Sequence, residues 1–270
     1  MERTLSKSLW HKYRARWQSS HSLLCIGLDS DITQLPECVL NERNPIWEFN
    51  RRIIDSTAQY ACAYKPNLAF YLRDGIRGLE ALQLTINYIP EDIPVILDCK
   101  VGDIGSTMEQ YVSTFLEVMG FDAITINPLL GADVLKPILE RENAFAFVLT
   151  LTSNPSAKDF FIQEDMAVKI ARWLTIFPPE KIGAVVGATQ VNQLREMREL
   201  MPGHIFLIPG IGAQGGDLDA VMHYTRDSDD YPNILINSSR GIIFQDRSPK
   251  FAQAAALAAE DLNSEIGVYT

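Results

Sequence analysis

The sequence lacks any apolar run long enough to cross a membrane. Its longest such run lies near Ala144 to Leu151, whereas a membrane-spanning helix needs about 18 apolar residues. The first twenty residues carry Arg, Lys, His and Trp throughout and have no apolar central region, so we expect no signal peptide. We therefore expect a cytoplasmic protein that has no membrane partner.

Cysteine and histidine are also scarce. The four cysteines show no C-x-x-C spacing, and the four histidines are spread from His11 to His223. This distribution argues against a zinc site and is typical of buried free thiols in a reducing compartment. Basic residues number 24 against 34 acidic ones, which gives a formal net charge of −10. That charge disfavours binding to nucleic acid but still permits a small anionic substrate in a local basic pocket.

Apolar, β-branched runs recur along the chain and predict eight strands. The runs are continuous rather than alternating, which is typical of parallel strands that are covered on both faces. They are Leu23–Asp29, Ala61–Asn67, Pro94–Lys100, Ala123–Pro128, Ala144–Ser153, Ile182–Thr189, Ile205–Gly212 and Asn233–Gly241.

Amphipathic segments between these runs predict helices at Pro45–Tyr60, Ser106–Met119, Asp165–Phe177, Gln190–Met201 and Lys250–Leu262. No linker and no change of composition divides the chain, so we expect residues 1–270 to form one domain. Eight β–α units in about 250 residues predict an α/β fold of the (β/α)8 TIM-barrel type, with an extra helix at the N-terminus. An open doubly wound sheet remains an alternative, because periodicity does not show whether a sheet closes.

Polar or charged residues stand at the end of nearly every predicted strand. The carboxyl ends of the strands build the active site in a barrel, so this pattern predicts a small-molecule site there. These residues include Asp29, Lys65, Asn67, Asp98, Lys100, Asn127, Ser153, Thr189 and Arg240.

Asp98 and Lys100 are two residues apart in the third strand, so we expect their side chains to share one face. Asp103 follows just beyond. A surface ion pair is the plain alternative, but the apolar run Val95–Leu97 leads directly into the pair and indicates the rim of a core. Two carboxylates also suggest a metal site. Lys100 between them argues against it, because an ammonium competes with a cation for the same oxygens.

The glycine-rich segment after the seventh strand predicts a phosphate site. Residues 210–215 match G-x-G-x-x-G, but a dinucleotide fold places that pattern after its first strand. Closely spaced glycines expose backbone N–H groups to an anion, and a helix beginning near Asp217 adds its dipole. Arg240, after the eighth strand, is placed to pair with the same phosphate. Glycines that only make turns are the alternative.

These motifs together resemble one family. Residues 98–104, Asp-Cys-Lys-Val-Gly-Asp-Ile, look like the D-x-K-x-x-D signature of orotidine 5′-phosphate decarboxylases. The resemblance extends from about residue 20 to about residue 260 and is closest to the longer bacterial branch. Val101 and Ser156 depart from that branch, where a basic residue and a glycine are expected. The other matching segments are Gly27–Asp29, Tyr64–Tyr71, Leu151–Pro155, Ile208–Gly216 and Ser238–Gly241.

The resemblance implies a homodimeric barrel that converts orotidine 5′-monophosphate (OMP) to uridine 5′-monophosphate (UMP) and CO2 without a metal or an organic cofactor. It implies that Lys65, Asp98, Lys100 and Asp103 form an alternating charge network. It also implies that Asp103, with Ile104 and Thr107, reaches the partner subunit's site. The implied substrate contacts are Asp29 and Lys65 on the ribose, Ser153 on the pyrimidine, and Gln214, Ser239 and Arg240 on the phosphate. We expect Asn67, Pro209 and Gly212 to line the same site.

The chemistry of these residue types agrees with that activity. Loss of CO2 from a pyrimidine ring leaves a carbanion, and a fixed cation stabilises it and then donates a proton; Lys100 is suited to both roles. Asp98 either repels the departing carboxylate or positions Lys100. Other candidates are a Schiff-base aldolase using Lys65 or Lys100, a sugar-phosphate decarboxylase, and a non-catalytic nucleotide-binding regulator.

Overall fold

Eight parallel strands form the centre of the molecule in this computed structural model, which describes residues 7–189, 191–211, 216–228 and 231–269. The strands are β1 Leu24–Leu28, β2 Ala63–Pro66, β3 Ile96–Val101, β4 Ala123–Ile126, β5 Ala146–Leu151, β6 Ile182–Val186, β7 Phe206–Pro209 and β8 Ile234–Ser238. Their hydrogen-bonded order is β2-β1-β8-β7-β6-β5-β4-β3.

The sheet closes between β2 and β3. Two parallel bridges join them, from Tyr64 to Val95 and from Asn67 to Asp98, and the Tyr64 amide donates to the Pro94 carbonyl at 2.9 Å. The predicted barrel is therefore confirmed, and the open doubly wound sheet is wrong. The continuous apolar runs have the expected cause, since every residue of β1, β4, β5 and β6 is buried.

Helices cover the outside of the barrel. The α-helices are α1 Leu9–Ser20, α2 Glu37–Leu40, α3 Pro45–Thr57, α4 Leu68–Leu72, α5 Gly75–Tyr88, α6 Gly105–Val112, α7 Lys136–Leu139, α8 Met166–Leu174, α9 Val191–Leu200, α10 Leu218–Thr225, α11 Arg240–Ile243 and α12 Phe251–Gly267. A π-helical segment, Ser113–Val118, continues α6, and 3-10 turns span Pro128–Val134 and Pro155–Asp159.

The sequence patterns do not predict helix α5. Its apolar residues do not mark one face, because Ile76 is 87% exposed and Leu79 and Leu84 are also exposed, while Leu82 and Ile86 are buried. The helix α3 shows the opposite case. Its apolar stripe is buried, and Asn44 caps its first turn by accepting from the Trp47 amide at 3.2 Å.

The expected N-terminal helix, α1, packs against the amino-terminal end of the barrel. Lys12 on α1 forms a buried ion pair with Asp122 at 2.6 Å, and Asp122 also accepts from the Val95 amide. Tyr13 donates to the Ile234 carbonyl at 3.3 Å. These contacts fall just before β3 and β4 and at the start of β8, so the opposite end of the barrel is left for a ligand. In the described part of the chain, no helix combines the length and apolarity needed to span a membrane.

Candidate active site

A cavity of about 390 Å3 opens at the carboxyl ends of the strands. It brings together seven of the residues predicted from sequence, on β1, β2, β3, β5 and β7 or directly after them. They are Asp29, Lys65, Asn67, Asp98, Lys100, Ser153 and Pro209. The cavity also has apolar walls, formed by Leu149, Val185 and Leu207.

A larger cleft of about 750 Å3 lies beside α1 at the other end of the barrel. Two of its basic groups already have protein partners: Lys12 pairs with Asp122, and Arg16 donates to Asp92 and to two backbone carbonyls. The smaller cavity at the strand ends is the better candidate, because its charged side chains converge on its interior.

Asp98 lies between two ammonium groups at the floor of this cavity. Lys65 Nζ is 3.0 Å from Asp98 Oδ2, and Lys100 Nζ is 2.5 Å from Asp98 Oδ1. Lys65 and Asp98 are nearly withdrawn from solvent, whereas the Lys100 side chain is 49% exposed. Of these two lysines, Lys100 is therefore the one that is accessible to a bound molecule.

Burial and charge act in opposite directions on the pKa values of this cluster. Burial by itself raises the pKa of Asp98, but the ammonium groups of Lys65 and Lys100 outweigh it and hold that pKa well below its usual range. Burial likewise lowers the pKa of Lys65, but the carboxylates of Asp98 and Asp29 outweigh it and raise that pKa. Both groups therefore stay charged near neutral pH.

Lys100 lies in an irregular, bulged stretch of β3, residues 98–100, which we call the β3 bulge. The pairing of β3 with β4 shifts register between Leu97 and Val101, and Lys100 has a left-handed backbone with φ of 48°. The structure brings Asp98 and Lys100 into contact, but along an irregular backbone rather than through the simple alternation of a regular strand that the sequence suggests. The Thr125 hydroxyl in β4 lies 2.8 Å from the Lys100 amide and 3.0 Å from Asp98 Oδ1.

The cavity extends towards the predicted phosphate end. An adjoining recess shares Asp29, Pro209 and Asn237 with it and is further lined by Gly210, Ile211, Ser238, Ser239, Arg240 and Gly241. Arg240 is exposed at its rim. Gly212 and Gln214, also predicted from sequence, lie outside the described residues.

Gly27 allows this recess to form. The Ser239 hydroxyl donates to the Gly27 carbonyl at 3.3 Å, and a Cβ at position 27 would stand 2.6 Å from the Ser239 Cβ. A side chain on β1 would therefore push away the segment that follows β8. Gly187 plays the same part opposite Ser153, whose amide nitrogen would lie 2.6 Å from an added Cβ.

Two buried side-chain oxygens on residues that line the cavity have no hydrogen-bond partner: Asp29 Oδ1 and Asn237 Oδ1. Both residues line the junction between the cavity and the recess. Buried polar atoms are rarely left unpaired, so this junction is suited to a ligand that donates hydrogen bonds. Thr125 is a site residue that the sequence does not reveal, because a hydroxyl inside an apolar strand gives no pattern of its own. Asn237 stands at the polar end of the eighth predicted strand, but the sequence assigns it no contact with a ligand.

Asp103, Ile104 and Thr107 do not join the cavity of their own chain. Asp103 Oδ1 accepts from the Ile104 amide at 2.8 Å. Ile104 is 52% exposed and lines a separate cleft beside α6 and α7. Within one chain, the predicted four-residue network therefore consists of Lys65, Asp98 and Lys100. Over the described ranges, no group of three or more His, Cys, Asp and Glu side chains is arranged to hold a metal ion.

Comparison with known proteins supports the resemblance. A model of the "Orotidine 5'-phosphate decarboxylase / HUMPS family" matches residues 22–256. The chain is 41% identical over 257 residues to orotidine 5'-phosphate decarboxylase of Bacteroides fragilis (strain YCH46), covering 91% of this chain and 92% of the relative.

Solved structures agree in fold and in length. A candidate orotidine-monophosphate-decarboxylase from Toxoplasma gondii gives a TM-score of 0.88 at 33% identity and covers 97% of each chain. The OMP decarboxylase of Leishmania donovani gives a TM-score of 0.80 at 31% identity, covering 97% of this chain and 98% of that one. The chain therefore belongs to the orotidine 5′-phosphate decarboxylase / HUMPS family.

Proposed function

We propose that this chain converts OMP to UMP and CO2. The observation that carries the proposal is the Lys65–Asp98–Lys100 cluster at the floor of a cavity that continues to Arg240. A nucleotide has the matching order of parts, with a reacting base at one end and a phosphate at the other. The relatives named above are decarboxylases of this substrate.

The substrate is held along the length of the cavity. Arg240 and Ser239 bind the phosphate in the recess, while the expected phosphate contact of Gln214 and the expected place of Gly212 in the site lie outside the described residues. The unpaired oxygens of Asp29 and Asn237 accept hydrogen bonds from the ribose hydroxyls at the junction. Lys65 assists at the ribose. Ser153 contacts the pyrimidine, with Asn67 and Pro209 beside it on the cavity wall.

Lys100 performs the chemistry. The bond between the ring carbon and the carboxylate breaks, CO2 leaves, and the electron pair stays on the ring carbon. The Lys100 ammonium stabilises that carbanion, donates a proton to it, and is reprotonated by water. The step balances without a redox partner, so the proposal includes no metal and no organic cofactor.

Asp98 holds Lys100 in place. Its two oxygens are each committed to one ammonium group, and its depressed pKa keeps it ionised. A carboxylate with these two contacts positions a cation well, and this geometry favours positioning over repulsion of the departing carboxylate as its main role.

A Schiff-base aldolase is disfavoured by the state of Lys65. Such an enzyme needs a free amine, whereas the carboxylates of Asp98 and Asp29 outweigh burial and raise the pKa of Lys65. That lysine remains an ammonium at neutral pH and is a poor nucleophile. Borohydride trapping with a sugar phosphate is expected to leave the chain unlabelled.

The enzyme acts as a homodimer in which Asp103, Ile104 and Thr107 serve the partner's site. Exposed apolar side chains support the dimer: Ile104 is 52% exposed, and Leu129 and Leu130, on the 3-10 segment that contacts α6, are 69% and 53% exposed. Each chain contributes one barrel domain. We place the enzyme in the cytoplasm, in keeping with its four free cysteines.

One ultraviolet assay tests the activity. Purified protein is incubated with OMP in the presence of EDTA, and conversion to UMP is followed by absorbance and by chromatography. We expect multiple turnovers that EDTA does not reduce. Absence of turnover by folded, dimeric protein would contradict the proposal, and turnover abolished by EDTA would contradict the metal-free chemistry.

A further inference from the structure

The Thr125 hydroxyl joins the two residues at the centre of the proposed chemistry, yet it lies on a different strand from both. Its oxygen accepts from the Cys99 amide at 3.0 Å and from the Lys100 amide at 2.8 Å. It also lies 3.0 Å from Asp98 Oδ1. Thr125 is 1% exposed, so water does not substitute for these partners.

The direction of each hydrogen bond follows from counting donors and acceptors. A hydroxyl has one donor hydrogen and two acceptor lone pairs. The two amides can only donate, so they occupy both lone pairs. The single hydroxyl hydrogen is therefore given to Asp98, whose carboxylate can only accept. All three bonding positions of Thr125 are used, and its orientation is fixed.

These bonds lie where the backbone is least regular. Lys100 has φ of 48°, in the left-handed region that residues other than glycine rarely occupy. Such a conformation costs about 1–3 kcal/mol and persists only when its surroundings hold it. The consecutive amides of Cys99 and Lys100 both donate to one oxygen, which satisfies both donors at the point where the strand pairing is interrupted.

We propose that Thr125 is a positioning residue: its hydroxyl holds the β3 bulge and the Asp98 carboxylate together, and thereby fixes Lys100 against the reacting carbon. The inference rests on the proposed function. Thr125 does not exchange a proton with the substrate, because its only hydrogen is committed to Asp98. It acts on Lys100 through the backbone and on Asp98 through the hydroxyl.

Substitution at this position separates positioning from bulk. Thr125→Val keeps the volume but removes both acceptors and the donor, whereas Thr125→Ser keeps all three. Thr150→Val is the matched control, because Thr150 is also a buried strand threonine, and among the described residues its hydroxyl bonds a single strand carbonyl, that of Val148 at 3.1 Å. The wild-type chain is assayed in parallel, so failure of the proposed activity itself is recognised separately.

We expect Thr125→Val to lower kcat for OMP by about 10²-fold, the usual consequence of a displacement near 1 Å at a reacting group. Its KM and its affinity for UMP should change much less, since the phosphate recess is intact. Thr125→Ser should restore most of the turnover, and Thr150→Val should retain the wild-type kcat. If Thr125→Val does not fold, Thr125→Ala provides the same comparison with less bulk.

Three results would overturn the inference. One is a Thr125→Val or Thr125→Ala enzyme with kcat near that of the wild type. The second is an equal loss of kcat in Thr150→Val, which would assign the effect to general stability. The third is a Thr125→Ser enzyme as slow as Thr125→Val, because serine retains every hydrogen bond on which the inference depends.

Discussion

Lys65 Nζ donates to Asp98 Oδ2 across 3.0 Å, and the two side chains are only 6% and 11% exposed. A buried ion pair is costly to break from one side, because the remaining charge has left water without a partner. The pair therefore contributes to folding as well as to the site, and the two contributions can be measured separately.

Asp98→Asn should lower the free energy of unfolding by about 3–5 kcal/mol near pH 7, because Lys65 loses its closest partner while still buried. Urea denaturation of both proteins measures the difference. Asp92→Asn is the matched control. This substitution also removes an ion pair, the one with Arg16, but Asp92 is 64% exposed. The free energy of unfolding should therefore change by at most about 1 kcal/mol. A small loss in Asp98→Asn would contradict the account.

The same difference should depend on pH in a defined direction. Asp98 has a depressed pKa in the folded state, so its contribution is present above the unfolded value of about 3.9 and is lost as the pH falls below it. Lys65 has a raised pKa, so its contribution is lost only above about pH 10.4. We expect the gap between wild type and Asp98→Asn to be constant from about pH 5 to about pH 9 and to narrow in acid. A stability difference that widens in acid would contradict the depressed pKa of Asp98.

Sharing of the site between subunits predicts complementation. Lys100→Ala and Asp103→Ala chains should each be inactive, but a mixed dimer has one site that carries neither change. After complete subunit exchange at equal amounts, roughly a quarter of the wild-type activity should return, since half of the dimers are mixed. The measurement is OMP turnover before and after exchange, with verified mixed dimers. No recovery would show that Asp103 does not serve the neighbouring site.

Arg240 should act on the phosphate alone. Arg240→Ala should reduce kcat/KM for OMP by about one to two decades, which corresponds to the loss of a charged hydrogen bond of about 1.5–3 kcal/mol. The same change should matter far less for orotidine, which has no phosphate. Arg195→Ala is the control, because Arg195 is exposed on α9 and forms an ion pair with Glu199. Equal losses of kcat/KM on OMP and on orotidine would show that Arg240 does not bind the phosphate.

The contact of α1 with the barrel should matter for stability and not for chemistry. Lys12→Met leaves Asp122 buried without its ammonium partner and should lower the free energy of unfolding by about 3–5 kcal/mol. Turnover of the folded protein should be unchanged, since α1 packs at the opposite end from the cavity. Lys136→Met, at an exposed pair with Glu140, is the control for losing a lysine. A selective loss of kcat in Lys12→Met would contradict this separation.

Much of the fold was predictable because its physical causes are local. Continuous apolar runs located all eight strands, with ends displaced by a few residues, since strand ends depend on tertiary pairing. Helix α5 was not predictable in the same way, because the exposed Ile76 obscures the amphipathic pattern that would identify its buried face. Closure depends on the bridge from Asn67 to Asp98, and no periodicity encodes contact between distant residues.

The site divides along the same line. Charged residues at strand ends are visible in a sequence, which is why Asp98 and Lys100 were found. The β3 bulge is held by hydrogen bonds from the Cys99 and Lys100 amides to the Thr125 hydroxyl on another strand. Nothing in the residue order of β4 marks that threonine. The unpaired oxygen of Asn237 is likewise visible only once the strands are assembled.

The most direct test of the central claim is the kcat of Lys100→Ala on OMP, measured beside the wild type with EDTA present. Loss of the cation that stabilises the carbanion and supplies the proton should lower kcat by at least about 10². Affinity for UMP should remain close to that of the wild type, because the phosphate and ribose contacts are retained. A Lys100→Ala enzyme with near-normal turnover would contradict the mechanism.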